Sequence, residues 1–282
     1  METNEAIKAN FLEQGYHVVH GTLSPERTKE VREFLIEKFN EKYPNENLME
    51  ANIIFDHLCL YPNLIDTITN DKLVSALKAI LGEDFLLMPP ASCIRNSFWR
   101  LHTDLTTMEG HGYPIGTRPD FLGVAIGTYL QDCDEQGGGM FVVPGTHKYR
   151  DPLVKRRELE KGIGVPWFSK ITRKLTKNRF PHYEDYSAFE KGGFDLPTKA
   201  GDTVIIDMRI LHRGSIPTAK ERIRTKLGIF NTAVARTDTD LLEYWLEYLV
   251  HSDRDHPFHY LRENRNIDEL KQAANKCGFS AL

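Results

Sequence analysis

The feature that most limits the fold of this chain is a series of short apolar segments between residues 85 and 235. Together these segments are rich in β-branched and aromatic side chains, and Gly, Pro, Asn or Asp residues bound them. They cover residues 84–88, 121–130, 139–143, 202–208 and 226–230. Strands of this length with no helices between them favour an antiparallel sandwich or barrel over a doubly wound parallel sheet. We therefore predict a mainly β fold.

Helical patterns flank this β region on both sides. Residues 24–26 combine a serine suited to cap a helix with a proline suited to its first turn, and a short strand is predicted before them at residues 16–19. A further helix is predicted from Asp71 to a left-handed end at Gly82. The tail from residue 240 returns to a helical pattern that begins with a capping box.

Length and composition fit a single domain. The chain has 282 residues, of which 40% are hydrophobic and 27% are charged, which is enough for one large core. We interpret residues 1–282 as one domain, with an N-terminal helical flank at 1–84, a barrel at 85–235 that carries a basic insertion at 148–190, and C-terminal helices at 236–282. The formal net charge of −4 disfavours nucleic acid as a partner. We find neither a membrane-spanning apolar segment nor a signal-type N-terminus, and we expect a cytoplasmic protein.

Two distant parts of the chain carry candidate metal ligands. His102 and Asp104 stand two residues apart, so in extended backbone both side chains project to the same face. His212 follows the apolar segment 202–208 and would bring a second imidazole to the same point. Two histidines and one carboxylate on one side of a metal leave the other positions open, as in non-haem Fe(II) oxygenases. We therefore predict a catalytic metal site at these three residues.

Two arginines follow the distal histidine. Arg222 and Arg224 fall on one face of the segment that continues into residues 226–230. Fe(II) that carries one aspartate and the dianion of 2-oxoglutarate has one net negative charge. One arginine would neutralise that charge, and its planar fork could bind the far carboxylate of 2-oxoglutarate. We favour Arg224 because a predicted strand follows it without a break, and Arg222 remains the alternative.

Motifs along most of the chain resemble those of one enzyme family. They comprise residues 15–19 with 23–26, the pair His102 and Asp104, residues 137–148, and residues 201–204 leading to His212. In this order they resemble the phytanoyl-CoA dioxygenase-like family of Fe(II)/2-oxoglutarate-dependent oxygenases. The resemblance implies a double-stranded β-helix, that is, a jelly-roll or cupin-like barrel. It also implies that the two histidines and the aspartate bind iron, and that an arginine ten to twelve residues beyond His212 binds 2-oxoglutarate.

The resemblance further implies an activity. Fe(II) would be the cofactor, 2-oxoglutarate and O2 the cosubstrates, and the reaction the hydroxylation of an unactivated C–H bond with release of succinate and CO2. Asp104 disfavours halogenation, because the related iron halogenases lack this carboxylate. Arg213 departs from the family, in which a small residue more often follows the distal histidine directly.

Two other functions remain open from the residues themselves. One is a metal-binding cupin-like barrel with hydrolase or isomerase activity, and the other is a non-catalytic module that binds an anionic ligand. Only the oxygenase hypothesis predicts that 2-oxoglutarate binds and chelates the metal.

Other histidines in the sequence are less suited to catalysis. Residues 144–148 include His147, but Pro-Gly is a turn signal, and we interpret Thr146 and His147 as side chains that fix this turn against the barrel. His57 has no partner at ligand spacing, and we assign it no role.

The basic insertion bears on the substrate. Its apolar residues recur every four positions from Trp167, and Lys170, Arg173 and Lys174 surround them, which predicts a basic amphipathic helix. Three interpretations compete: a solvated helix packed on the barrel, a lid formed by these four residues over an anionic substrate, and a peripheral contact with anionic lipid head groups at a membrane surface. A lid would suit a phosphorylated, acyl-CoA or carrier-linked substrate, or an acidic sugar such as those in the inner core of lipopolysaccharide.

Overall fold

The computed structural model describes eight stretches of the chain. They are residues 3–44, 51–96, 101–104, 122–133, 139–148, 191–215, 225–237 and 268–281. Their α-helices are α1 (Asn4–Gln14), α2 (Pro25–Lys42), α3 (His57–Leu60), α4 (Asp66–Thr69), α5 (Asp71–Leu81) and α6 (Asp268–Lys276), with 3₁₀ turns at Pro62–Leu64 and Thr146–Lys148. Their strands are β1 (Tyr16–Val19), β2 (Asn52–Phe55), β3 (Leu86–Arg95), β4 (Gly123–Tyr129), β5 (Met140–Val143), β6 (Phe194–Asp195), β7 (Thr203–Asp207), β8 (Leu211–Gly214), β9 (Leu227–Val234) and β10 (Ser280–Ala281).

These strands form two sheets. The larger has the order β1-β7-β4-β9-β3-β10, with β2 also paired to β3, and the smaller has the order β6-β5-β8. The pairs are antiparallel except β10 with β3, which is parallel. Each of the five apolar segments contributes one strand, which confirms the predicted mainly β fold. The large sheet also takes β1 and β2 from the N-terminal flank and β10 from the C-terminal tail.

The large sheet buries both of its faces. Ile126, Ile205 and Ile229 lie on one face, in a core shared with the helical residues Phe11, Leu35 and Leu77. On the opposite face, Val204 and Ile206 belong to a second core with Met140 and Val142 of the small sheet. The two sheets therefore pack face to face, and the helices cover the outer side of the large sheet.

The helix ends follow from local hydrogen bonds. The hydroxyl of Ser24 accepts a hydrogen bond from the Arg27 backbone N–H at 3.1 Å, and Pro25 occupies the first turn, as predicted for α2. Helix α5 begins at Asp71 and ends before Gly82, also as predicted. The expected left-handed helical geometry at Gly82 is wrong. Its φ of 104° is positive but its ψ is 165°, because the chain leaves the helix in an extended direction.

Several sequence predictions lie outside the described residues. These are the basic insertion beyond Lys148, that is residues 149–190, and the helix predicted from residue 240. Among the helices that the structure describes, none combines the length and the apolar character that a membrane span requires.

Candidate metal centre

Three side chains converge between the sheets. His102, Asp104 and His212 each offer one ligand atom, and these atoms all lie within 4.8 Å of one another. The Nε2 atoms of His212 and His102 lie 3.5 Å and 3.7 Å from Oδ1 of Asp104. The two imidazole centroids are 4.4 Å apart. The structure thus brings together the three residues that the sequence predicted to be metal ligands.

The backbone places the two histidines directly opposite each other. The N–H of His102 donates to the carbonyl of His212 at 2.9 Å, and the N–H of His212 donates back to the carbonyl of His102 at 2.9 Å. Residues opposed in such an antiparallel pair project to the same face. Strand β8 also pairs with β5, where His212 lies opposite Val142. The small sheet therefore holds His212, and the bridge holds His102 beside it.

The turn between β7 and β8 orients two of the three ligands. The carbonyl of Met208 accepts a hydrogen bond from the Asp104 N–H at 3.0 Å. The carbonyl of Ile210 lies 3.1 Å from Nδ1 of His212. Since a carbonyl can only accept, Nδ1 carries the proton, and the lone pair of Nε2 is available to a metal.

An ion pair stiffens this turn. Asp207 is fully buried, and its carboxylate accepts from Nε of Arg209 at 2.9 Å, from Nη2 at 2.7 Å and from the Arg209 backbone N–H at 2.8 Å. The apolar pattern of residues 202–208 predicted a strand but not this ion pair. Its signal is a carboxylate at the end of an apolar strand, two residues before an arginine.

The segment after β5 supports β8 from the other side. The hydroxyl of Thr146 donates to the carbonyl of Val143 at 2.7 Å and accepts from the N–H of Leu211 at 2.9 Å. Burial lowers the pKa of His147, whose Nε2 lies 3.0 Å from the carbonyl of Leu12. Both side chains fix the turn, in agreement with their structural interpretation.

The packing of His147 also explains Gly15. A Cβ atom at Gly15 would lie 2.4 Å from Nδ1 of His147, and the φ of Gly15 is 83°. Only glycine tolerates both the positive φ and the lack of space for a Cβ atom. Gly15 therefore allows the end of helix α1 to pack directly against His147 in the turn after β5.

Arg213, which departs from the family pattern, faces away from the metal ligands. It lies opposite Phe141 in the pairing of β8 with β5, next to His212 in sequence and so on the other face of the small sheet. Its guanidinium carbon lies 4.1 Å from the centre of the Phe141 ring. A cation–π contact therefore accounts for a large residue at this position.

Aromatic side chains line the inner face of the large sheet. A Cβ atom added at Gly127 would lie 3.0 Å from the ring of Phe230, and one added at Gly228 would lie 2.6 Å from it. Tyr129 meets Phe230 edge to face at 6.1 Å. Burial raises the pKa of Tyr129 well above its usual value, so its hydroxyl stays protonated.

The three ligands fit a divalent metal. Bonds of about 2.0–2.2 Å to nitrogen and oxygen place ligand atoms at right angles roughly 3 Å apart, so the observed separations require only small side-chain rotations. Two imidazoles and one carboxylate are a donor set that suits Fe(II). The side chains of His102 and Asp104 are 25% and 27% exposed, whereas that of His212 is 9% exposed. The centre is therefore accessible from the side of His102 and Asp104.

The other predicted site residues cannot be placed in this geometry. Arg222 and Arg224, together with the proposed lid residues Trp167, Lys170, Arg173 and Lys174, lie outside the described residues.

Solved structures with a similar fold bind metals. SnoN, an epimerase from nogalamycin biosynthesis solved with Fe3+, α-ketoglutarate and nogalamycin RO, is 17% identical over 83% of this chain and 84% of its own, with a TM-score of 0.54. HygX from Streptomyces hygroscopicus, with nickel and 2-oxoglutarate, is 16% identical over 81% and 85%, with a TM-score of 0.54. EctD from S. alaskensis, with bound Fe, is 15% identical over 82% and 76%, with a TM-score of 0.57. At such identities the likeness concerns the fold alone, and it confirms the predicted double-stranded β-helix.

Comparison of the sequence with family models gives the relationship. A search among curated proteins finds no match. The model of the phytanoyl-CoA dioxygenase (PhyH) family matches residues 11–223, which include all three metal-site residues and Arg222, and end one residue before Arg224. Because this match covers well over half of the chain, and as the sequence motifs predicted, the chain belongs to the phytanoyl-CoA dioxygenase (PhyH) family.

Proposed function

We propose that this protein is an Fe(II)/2-oxoglutarate-dependent dioxygenase that hydroxylates an unactivated C–H bond of an anionic substrate. The observation that carries the proposal is the convergence of His102, Asp104 and His212 within 4.8 Å. Family membership supports it, as does the binding of iron or of 2-oxoglutarate by proteins of similar fold.

The proposed roles of the three metal ligands follow from the positions of their side chains, and the proposed role of the arginine follows from its place in the sequence. The Nε2 atoms of both histidines and Oδ1 of Asp104 would hold Fe(II) on one side, and Arg224, or alternatively Arg222, would bind the far carboxylate of 2-oxoglutarate. When bound, Fe(II) and 2-oxoglutarate supply the activation of O2. In the overall reaction one oxygen atom enters the substrate as hydroxyl, the other enters succinate, and C1 of 2-oxoglutarate leaves as CO2. The Ile210 carbonyl keeps His212 in the tautomer that can bind the metal.

The anionic substrate is inferred from charge. The chain as a whole is acidic, yet residues 155–157 are Lys-Arg-Arg, and Lys170, Arg173 and Lys174 follow. We propose that this insertion, with Trp167, closes over an acyl-CoA, a carrier-linked molecule or an acidic sugar conjugate. The alternative role of the insertion, contact with anionic lipid head groups, would make binding to vesicles depend on their charge.

The first experiment tests metal and cosubstrate together. Purified apoprotein is loaded with Fe(II) without oxygen and titrated with 2-oxoglutarate, whose chelation gives a weak charge-transfer absorption band in the green. We expect the band in wild type and its loss in His102→Ala. Either Arg224→Ala or Arg222→Ala should weaken 2-oxoglutarate binding, whereas the control Arg236→Ala, at a half-exposed arginine just beyond the end of β9, should not.

The outcome decides between the functions. If wild type binds Fe(II) but gives no band, the oxygenase proposal fails, and the hydrolase or isomerase barrel or the binding module replaces it.

A second experiment tests the reaction type, because SnoN, which has a similar fold, is an epimerase. Panels of acyl-CoA and acidic-sugar substrates are incubated with enzyme under 18O2. Hydroxylation predicts a product that gains one labelled oxygen atom together with labelled succinate. Substrate-dependent succinate formation without label in the product would contradict hydroxylation while leaving the oxygenase assignment intact.

A further inference from the structure

We propose that Arg32, Asn96 and Gln131 form a clamp on the backbone at the start of β9, and that this clamp positions Arg224 for 2-oxoglutarate. The proposal rests on the proposed function. The three side chains are positioning residues, since their contacts are with the protein and not with the cosubstrate.

Side chains hold one backbone group of each residue from Thr225 to Leu227. The carbonyl of Thr225 accepts from Nη2 of Arg32 at 2.7 Å. The N–H of Lys226 donates to Oδ1 of Asn96 at 2.8 Å, and the N–H of Leu227 donates to Oε1 of Gln131 at 2.8 Å. Three successive residues thus each have a backbone group fixed by a different side chain.

The clamp acts where the regular sheet ends. The pairing of β9 with β4 ends at Gly228 opposite Tyr129, and its pairing with β3 ends at Leu227 opposite Arg95. Beyond these positions, buried backbone groups need other partners, because an unpaired buried N–H or carbonyl is costly. The clamp side chains supply three of these partners, and the carbonyl of Leu227 accepts from the N–H of Leu130 at 3.1 Å. Thr225 is joined directly to Arg224 by a peptide bond.

Asn96 holds the start of β9 from the end of β3. Its own N–H donates to the carbonyl of Lys226 at 2.9 Å, so the two residues exchange hydrogen bonds. Asn96 is 1% exposed and has a φ of 59°, a conformation that asparagine tolerates better than most residues. It lies six residues before His102 in the chain. Asn96 therefore holds the backbone that follows Arg224 from a position close in sequence to the first metal ligand.

Gln131 and Arg32 connect the same backbone to the helices. Oε1 of Gln131 accepts from Leu227 and also from Nη1 of Arg32, the latter at 3.0 Å. Arg32 lies on α2, and its Nη1 is also 3.4 Å from the carbonyl of Leu130. The clamp thus spans α2, the end of β4 and the end of β3.

The expected consequence is specific to the cosubstrate. A bidentate arginine must be placed accurately, so a shift of the backbone at Thr225 should weaken 2-oxoglutarate binding. The iron ligands are held separately, by the bridge between His102 and His212 and by the turn before β8, so Fe(II) binding should change little.

Two pairs of matched variants test this. Asn96→Gly keeps the left-handed backbone accessible but removes the side-chain oxygen that accepts from Lys226, whereas Asn96→Asp keeps this oxygen. Gln131→Met keeps the side-chain volume but removes the oxygen that accepts from Leu227, whereas Gln131→Glu keeps an oxygen there, beside Arg32. The dissociation constants of Fe(II) and of 2-oxoglutarate, the latter from the charge-transfer band, and the melting temperature are measured for each.

We expect about tenfold weaker 2-oxoglutarate binding in Asn96→Gly and Gln131→Met, with Fe(II) binding unchanged within about twofold and with near wild-type binding in Asn96→Asp and Gln131→Glu. Unchanged 2-oxoglutarate affinity in Asn96→Gly and Gln131→Met would overturn the clamp, as would an equal loss of Fe(II) and 2-oxoglutarate binding that neither conservative variant restores. Absence of the band in wild type would instead reject the proposed function on which the clamp rests.

Discussion

His57 and His212 are both buried, yet their rings have different surroundings. His212 has the Ile210 carbonyl beside Nδ1 and Asp104 near Nε2. His57 is fully buried, and neither of its ring nitrogens has a hydrogen-bond partner within the described part of the chain. Burial lowers the pKa of His57 to about 3, so its ring is neutral in the folded protein. Histidine thus has two different roles in this protein. His212 is a candidate metal ligand, whereas His57 is a core residue that lowers the stability of the fold at acidic pH.

Replacing His57 by leucine should reduce the loss of stability in mild acid. The folded-state pKa of about 3 lies below the ordinary value of 6.5, so between these values the unfolded chain binds the proton and the folded protein does not. The wild type should therefore lose about 1.4 kcal/mol per pH unit below pH 6.5 relative to His57→Leu. Urea unfolding at pH 7.5, 6.5 and 5.5 measures this. If the free energies of unfolding of the two proteins changed equally with pH from 7.5 to 5.5, this prediction would be wrong.

Breaking the ion pair of the turn should affect both stability and metal binding. Arg209→Met removes the guanidinium that binds the buried Asp207 carboxylate. We expect a loss of about 2 kcal/mol in the free energy of unfolding, less than for a fully buried pair because the Arg209 side chain is 12% exposed. Fe(II) affinity should fall about tenfold, since the turn orients Asp104 and His212. Arg209→Lys keeps the charge, so its stability and its Fe(II) affinity should lie between those of wild type and Arg209→Met. Thermal unfolding and Fe(II) titration check both effects, and an unchanged Fe(II) affinity would mean that the turn has no orienting role.

Strand β8 depends on its neighbours for stability. It has only four residues and lies at the edge of a small sheet, so its pairing with β5 alone would hold it weakly. The bridge to His102 and the hydroxyl of Thr146 add hydrogen bonds along it. Contacts from outside the sheet therefore stabilise the strand that carries the distal histidine.

Thr146 allows a direct test of this support. Thr146→Val keeps the shape but leaves the N–H of Leu211 buried without its acceptor, and we expect a loss of about 1–2 kcal/mol in the free energy of unfolding. Amide hydrogen exchange at Leu211 should become faster. Thr146→Ser, which keeps the hydroxyl, should protect this amide as in wild type. Equal exchange at Leu211 in Thr146→Val and wild type would show that the hydroxyl does not hold β8.

The sequence predicted those features of the fold and the site that depend on local patterns. The apolar segments predicted five strands, and the spacing of His102 and Asp104 together with the position of His212 predicted the three residues that converge. The pairing of β10 with β3 could not be predicted, because a strand of two residues has no periodicity and its register depends on partners far along the chain. The same holds for the clamp, whose members Arg32, Asn96 and Gln131 are ordinary polar residues until the fold brings them to one backbone segment.

The candidate centre should also link binding to global stability. Its ligands come from β8 and from the segment before β4, so they converge only in the folded chain. Fe(II) at about 100 times its dissociation constant should add about 2.7 kcal/mol, and 2-oxoglutarate should add more on top of it. Thermal unfolding without oxygen, with each ligand in turn, measures this. His102→Ala serves as the control, and an equal rise in its melting temperature would locate the metal elsewhere.

The order of strands in the large sheet has a consequence for how the chain folds. Tyr16 lies opposite Ile206 in one outer pair, and Ser280 lies opposite Leu86 in the other. Each pair closes a loop of almost two hundred residues, and contacts of such high sequence separation slow folding. During synthesis the sheet cannot be completed until residues 280 and 281 have left the ribosome. Until then the part of β3 that receives β10 lacks this partner, and an unpaired strand edge favours aggregation of the nascent chain.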